Sequence, residues 1–224
     1  MTKNIILQHF DGQLRELDRL SIMNIQSYAE MVGADYKLVT GKPFRSHLTS
    51  PCQKVYMLDE CWDEYDNVLM LDIDMFAPKN IKENIFDLQG VGLYEGVQKR
   101  LHKLLAKDHP LICSLDYAYW GGAIYKLDRD QRKKLRKGLE DNDSWMNNFN
   151  KPYKYEDEGI MHVLATKAGI KQEGTVLDQK WCQCSFLPAP RNAGFIHIRT
   201  KIKPEGPKRE KIKNYQALVE QGIL

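Results

Sequence analysis

The sequence predicts an α/β fold in which a mostly parallel central sheet carries helices on both faces. Three observations point there. Strand-like and helix-like patterns alternate over the first 74 residues. The run Val68 to Leu71 is uniformly apolar, as in a strand covered on both faces. The 224 residues are 42% hydrophobic and 28% charged, with a formal net charge of +3. That length suits one domain, 1–224, with one sizeable core, and the composition is ordinary for a soluble protein.

In chain order, Ile5 to Leu7 read as the first strand. A helix over roughly 12 to 32 follows, with Leu14, Leu17, Leu20, Ile25, Tyr28 and Val32 near helical spacing and Gly33 as its stop. Tyr36 to Val39 form a second strand. Ser50 and Pro51 open another helix as cap and first residue, with Val55, Leu58 and Trp62 facing inward. The apolar run comes next as the third strand. Beyond it, Val91 to Tyr94 and Ala118 to Tyr125 read as strands, with a helix over about 97 to 107 between them. Asp128 starts a further helix, whose basic run from Arg132 to Lys137 is expected to face solvent. Residues 157 to 168 read as helix, 181 to 187 and 194 to 202 as strands, and 208 to 221 as a polar terminal helix.

The third strand ends in Asp72-Ile73-Asp74. Open α/β sheets bind ligands just beyond the carboxyl ends of their strands, so two acids there stand where a metal and a phosphorylated ligand would lie. In an ideal strand the two carboxylates would be about 7 Å apart, too far to share one ion. The chain must therefore end the strand or bend at this point, or one acid must act through water or a ligand hydroxyl. A surface turn with two solvated acids is the plainer alternative.

Charge alone does not imply nucleic acid. No apolar run approaches a membrane span, and the strand-like Asn4 to Leu7 is too short for a signal-peptide core, so a cytoplasmic protein is expected. Cys52, Cys61, Cys113, Cys182 and Cys184 lack a C-x-x-C pair, which argues against a disulfide framework or structural zinc. Cys182 and Cys184 read as half-buried thiols in a strand.

A second constellation lies near the end. From Phe195 to Pro204 the pattern alternates, with His197, Arg199, Lys201 and Lys203 on one side and Ile196, Ile198 and Ile202 on the other. Such a cationic stripe suits a diphosphate. Lysine on an edge strand also discourages aggregation, which is the competing explanation.

Taken in order, the first strand, the lysine-bearing helix, Tyr65 to Asp74 with its D-x-D, Gly121-Gly122, Asp157-Glu158 and His197 before Lys203-Pro204 resemble the GT-A glycosyltransferases. The likeness covers roughly residues 3 to 205 and is greatest to the glycogenin and galactosyltransferase branch. It implies a nucleotide-binding half over about 1–90, an acceptor half over about 91–205 and a terminal helix over 208–221. It also implies that Asp72 and Asp74 hold manganese or magnesium against the diphosphate of a nucleotide sugar, with His197 completing the metal shell. Gln8, His9 and Phe10 would meet the uracil or ribose. Lys54, Ile73 and Lys203 would lie along the donor, and Glu95, Gly121 and Gly122 along its sugar. Asp157 and Glu158, aligned with a D-Q-D segment, would act near the donor sugar and the acceptor. The implied partners are a UDP-sugar and a glycan or glycoprotein acceptor. The reaction would move a hexose or deoxyhexose with retained anomeric configuration.

Two departures bear on the acceptor pocket and the stereochemistry. Thr200 and Glu205 stand where that branch carries glycine and tryptophan, and Gly159 replaces the second acid of D-Q-D. A sugar-phosphate nucleotidyltransferase is an alternative, although His9-Phe10-Asp11-Gly12 is a poor substitute for a glycine-rich phosphate loop. A non-catalytic sugar-nucleotide or glycan-binding module is another.

Overall fold

The computed structural model describes residues 2–139, 144–150, 155–185, 192–200 and 210–224. The first strand, β1 (Asn4–Phe10), is longer than the apolar pattern suggests and continues through Gln8 and His9. Helix α1 (Glu16–Met31) begins later than expected. Gly12 adopts φ +119°, which breaks the helical path, and Asp18 then accepts the Arg15 amide at 2.9 Å to start the helix. Gly33, at φ +66°, ends it.

Strand β2 (Asp35–Thr40) pairs parallel with β1, as does β3 (Asn67–Leu71) on the other side. The fourth member of this sheet is β5 (Ile124–Asp128), antiparallel to β3, giving the order β2-β1-β3-β5. Alternation sends Ile5, Leu7, Val68, Met70, Tyr125 and Leu127 into one core, and Ile6, Leu69, Leu71 and Ile124 into a second. The first core is closed by Val55 and Leu58, by α3 (Arg129–Arg136) and by α4 (Glu156–Lys167). The second is closed by Ile25, Tyr28 and Ala29 of α1. Each fully buried Leu or Val contributes about 1.5–3 kcal/mol, so the uniformly apolar β3 needs both covers.

A smaller sheet, order β4-β7-β6, is built from β4 (Met75–Phe76), β6 (Gln183–Cys184) and β7 (Ile196–His197). A third core joins Phe76, Ile196 and Ile198 to Leu218 of α5 (Lys211–Glu220), and Tyr215 packs on Phe76 with ring centroids 4.9 Å apart.

Several sequence expectations are corrected. Residues 51–58 form a 3-10 helix, and Ser50 makes no side-chain cap bond. Three residues per turn place Val55 above Leu58. Residues 91–94 are extended without being a strand, with one isolated bridge from Gly92 to Val176. The Val91 and Gly92 amides share the Thr175 carbonyl, while the carbonyls of Val91, Gly92 and Leu93 accept from the amides of Lys126, Leu177 and Gly121 in turn. Helix α2 (Gly96–Asp108) follows as expected. The strand expected at 118–125 begins only at Ile124. The strands expected at 181–187 and 194–202 shrink to two residues each within the described chain. The basic run is only partly solvated. Arg132 is fully buried and donates to the carbonyls of Leu127, Trp62 and Tyr65, while Arg136 clamps Asp63 at 2.7 Å. No described helix is long and apolar enough to cross a membrane.

Candidate metal and donor site

The chain leaves β3 in a tight turn in which the Met75 amide bonds the Asp72 carbonyl at 3.2 Å. Of the options that strand geometry left open, the chain thus takes the bend. Buried polar groups fix the turn from below: Gln8 Nε2 donates to the Asp72 carbonyl at 3.1 Å and to Ser21 Oγ at 3.0 Å, and Ser21 donates to the Met75 carbonyl at 2.7 Å. Tyr36 donates to Gln8 Oε1 at 2.9 Å, so every polar atom of this fully buried amide is used.

Strand β4 begins immediately after the turn, and its antiparallel partner is β7, with Met75 opposite His197. The Ile198 amide bonds the Asp74 carbonyl at 3.0 Å. This pairing brings a histidine from late in the chain onto the motif. His197 Nε2 lies 3.1 Å from Asp74 Oδ1 and 4.0 Å from Asp72 Oδ2. One ligand atom from each of the three residues falls within 4.8 Å of the others, a spacing at which one ion can be shared. His197 Nδ1 faces the thiol of Cys182 at 4.0 Å.

Lys54 projects from the 3-10 helix into the same place and is almost wholly buried. Its ammonium lies 2.7 Å from Asp72 Oδ1 and 2.9 Å from Asp157 Oδ2, and donates to the Gly122 carbonyl at 2.6 Å. Asp157 also accepts from Tyr125 OH at 2.9 Å. Glu158 accepts the Gly122 amide at 2.8 Å and the Tyr119 hydroxyl. The entry to α4 is sharp: Tyr155 and Glu156 have φ of +65° and +39°, a strained conformation for residues with a β-carbon. It turns two consecutive acids inward. A Cβ on Gly122 would stand 2.5 Å from Asp157 Oδ2, so only glycine fits against them.

The electrostatics follow from burial. Burial alone would lower the Lys54 ammonium, but Asp157 and Asp72 outweigh it and hold the group charged well above its ordinary value. The two acids at the start of α4 go up despite the same lysine. Burial first, then Glu158 and Asp72, pushes Asp157 up to about 7 against the pull of Lys54, and burial also raises Glu158. Asp74 goes the other way. Burial would raise it, yet the His197 ring and the Lys211 ammonium hold it below the usual carboxylate range. Lys211, at the start of α5, contacts Asp74 Oδ2 directly.

Among the other sequence candidates, His9 is buried and donates through Nε2 to the Gly41 carbonyl at 2.7 Å, with its pKa lowered chiefly by burial. Phe10 is half-buried at the end of β1, and Ile73 is half-buried in the turn. Gly121 packs against Gln98, whose Nε2 an added Cβ would meet at 2.7 Å. Glu95 is exposed at the N-cap of α2 instead of ending a strand. Lys203 lies outside the described residues. Sequence reasoning missed Lys211, Tyr119, Tyr125 and Ser21. Tyr125 sits three residues after Gly122 and Tyr119 three before it, which was a usable signal. Lys211 carried none.

No protein-family profile and no curated protein sequence matches the chain. Solved structures do. A glycosyltransferase involved in the glycosylation of the major capsid of PBCV-1 superposes with a TM-score of 0.57 at 13% identity, over 97% of this chain and 99% of that one. The galactosyltransferase LgtC, in complex with donor and acceptor sugar analogs, gives 0.54 at 10% identity, over 96% and 95%. An active-site mutant of LgtC gives 0.51 at 10% identity, over 98% and 96%. At such identities the likeness is one of fold, and it runs through nearly the whole of each chain. This chain has the GT-A fold of those glycosyltransferases.

Proposed function

We propose that this chain is a metal-dependent glycosyltransferase that moves a hexose or deoxyhexose from a UDP-sugar to a hydroxyl of a glycan or glycoprotein, with retention of configuration. The observation that carries this reading is the convergence of Asp72, Asp74 and His197 beside Lys54, Asp157 and Gly122, at the carboxyl end of β3. Two carboxylates and an imidazole suit manganese, with magnesium the next choice. Bound there, the ion would offset charge developing on the departing nucleotide diphosphate.

The chain's own residues have separable tasks. Asp72 and Asp74 orient the ion, and the Gln8 amide holds the Asp72 backbone, a positioning task in place of the base contact expected for it. Lys54 keeps Asp72 and Asp157 apart and oriented. Asp157 acts beside the reacting carbon, where a carboxyl held near neutrality can exchange a proton or face a cationic centre. Glu158, pinned by Gly122 and Tyr119, aligns that segment. Gly121 and Gly122 are assigned to the donor sugar, with Gly122 also admitting Asp157 close to the backbone and Glu95 at the rim. His9, Phe10 and Ile73 border the nucleoside, and Lys203 is assigned to the diphosphate.

The test is thermal stabilisation. UDP and manganese together should raise the melting temperature jointly, since ligands of the native state stabilise it by mass action, and Asp74→Ala should abolish the effect. Equal stabilisation of the mutant would sink the reading. Turnover separates the rivals: release of UDP from a UDP-sugar with manganese, stopped by EDTA, identifies a transferase. Pyrophosphate chemistry would identify a nucleotidyltransferase, and binding without turnover a module.

A further inference from the structure

Asp74 uses its two oxygens differently. Oδ1 faces His197 Nε2 at 3.1 Å, whereas Oδ2 is taken by the ammonium of Lys211. Lys211 reaches the site from α5, an element that contributes nothing else to it. Its backbone is anchored by contacts on the far side of the smaller sheet: Tyr215 on Phe76, Asn214 Nδ2 on the Arg199 carbonyl at 2.6 Å, and Leu218 in the third core. The ammonium can therefore swing on its own side chain, but its root stays beside the metal ligands. With Lys54 on Asp72, each carboxylate of the motif already has a cationic partner within the protein.

We propose that Lys211 is an intramolecular counter-ion that competes with the divalent ion for Asp74 and, once displaced, pairs with the diphosphate of the donor. This rests on the metal-dependent reading above. A divalent ion drawn to Asp72, Asp74 and His197 must share Asp74 with an ammonium that repels it, so the free ion binds weakly. The displaced ammonium, side chain only 30% exposed and rooted in α5, then needs a new anion. The diphosphate that accompanies the ion is the one its tether can meet. Ion and nucleotide thus bind better together than either does alone.

The experiment is manganese titration of the full chain, followed by electron paramagnetic resonance and calorimetry, with and without UDP. Lys211→Met should bind manganese alone about tenfold more tightly than the native chain, and UDP at saturating manganese about tenfold more weakly, the scale of one charge-assisted contact. Lys211→Arg, which keeps the charge, should bind the free ion no more tightly than the native chain. Unchanged or weaker binding of the free ion by Lys211→Met, or tighter binding by Lys211→Arg, would overturn the competition. Unchanged UDP affinity in Lys211→Met would overturn the hand-over. If the native chain and Asp74→Ala bind manganese alike, the underlying metal reading itself has failed, a result distinct from both.

Discussion

Replacing Lys54 by methionine removes a cation that holds Asp72, Asp157 and the Gly122 carbonyl together, at 2.7, 2.9 and 2.6 Å. Methionine retains most of the buried length, so packing changes little and the loss is electrostatic. Breaking a buried ion pair from one side costs about 3–5 kcal/mol, because the remaining charge is left without a partner. That loss should appear in urea unfolding at pH 8, followed by circular dichroism. The deficit should shrink at pH 6. Asp157 is already raised to about 7 from its ordinary 3.8, and without Lys54 it rises further. The folded variant then holds a proton that the unfolded chain releases, so its stability increases as pH falls through that window. Adding Asp157→Asn should recover part of the loss, with a coupling of about 0.5–3 kcal/mol. A loss below about 1 kcal/mol at both pH values, or strictly additive single costs, would refute the ion-pair reasoning.

Gly122→Ala should cost about 1–3 kcal/mol of stability and most of the transferase activity, read by thermal melting and UDP release, because its Cβ would crowd Asp157 Oδ2 at 2.5 Å. Leu69→Ala, in the middle of β3 and fully buried, should cost about 2–5 kcal/mol in urea unfolding with the m-value unchanged. His162 is buried and neutral: it donates through Nδ1 to the Ala118 carbonyl at 2.9 Å and accepts the Ser114 amide at 3.3 Å. Burial lowers its pKa from 6.5 to about 4. Its contribution is complete above pH 6.5 and is lost as pH falls toward 4, by at most about 3 kcal/mol. The native chain should therefore lose more stability than His162→Gln between pH 7.5 and 4.5. Parallel pH profiles would refute this.

The D-x-D motif was legible because its pattern is local: four apolar residues ending in two acids describe a doubly covered strand and what lies at its tip. Strand geometry alone also required that the strand end or bend there or that one acid act through water or a ligand hydroxyl, and the turn from Asp72 to Met75 takes the first course. Gln8 shows the limit of such reading. Its place after an apolar run marks it as close to the site, but only the surrounding hydroxyls and carbonyls decide that its amide is spent on holding the turn. Arg132 is similar, since nothing in a basic run reveals which member will find three backbone carbonyls and be buried.

The sequence by itself determined the alternation of elements, the two-faced burial of β3 and the residue types gathered at its carboxyl end, because these depend on neighbours within a few positions. Only the tertiary structure decided which residues meet there. The two-residue pairing of β4 with β7 sets His197 on Asp74, the sharp entry to α4 turns Asp157 and Glu158 onto Gly122, and the packing of α5 on Phe76 delivers Lys211. Those contacts join segments far apart in the chain, and long-range pairing is governed by packing and loop closure, which leave no periodicity to read.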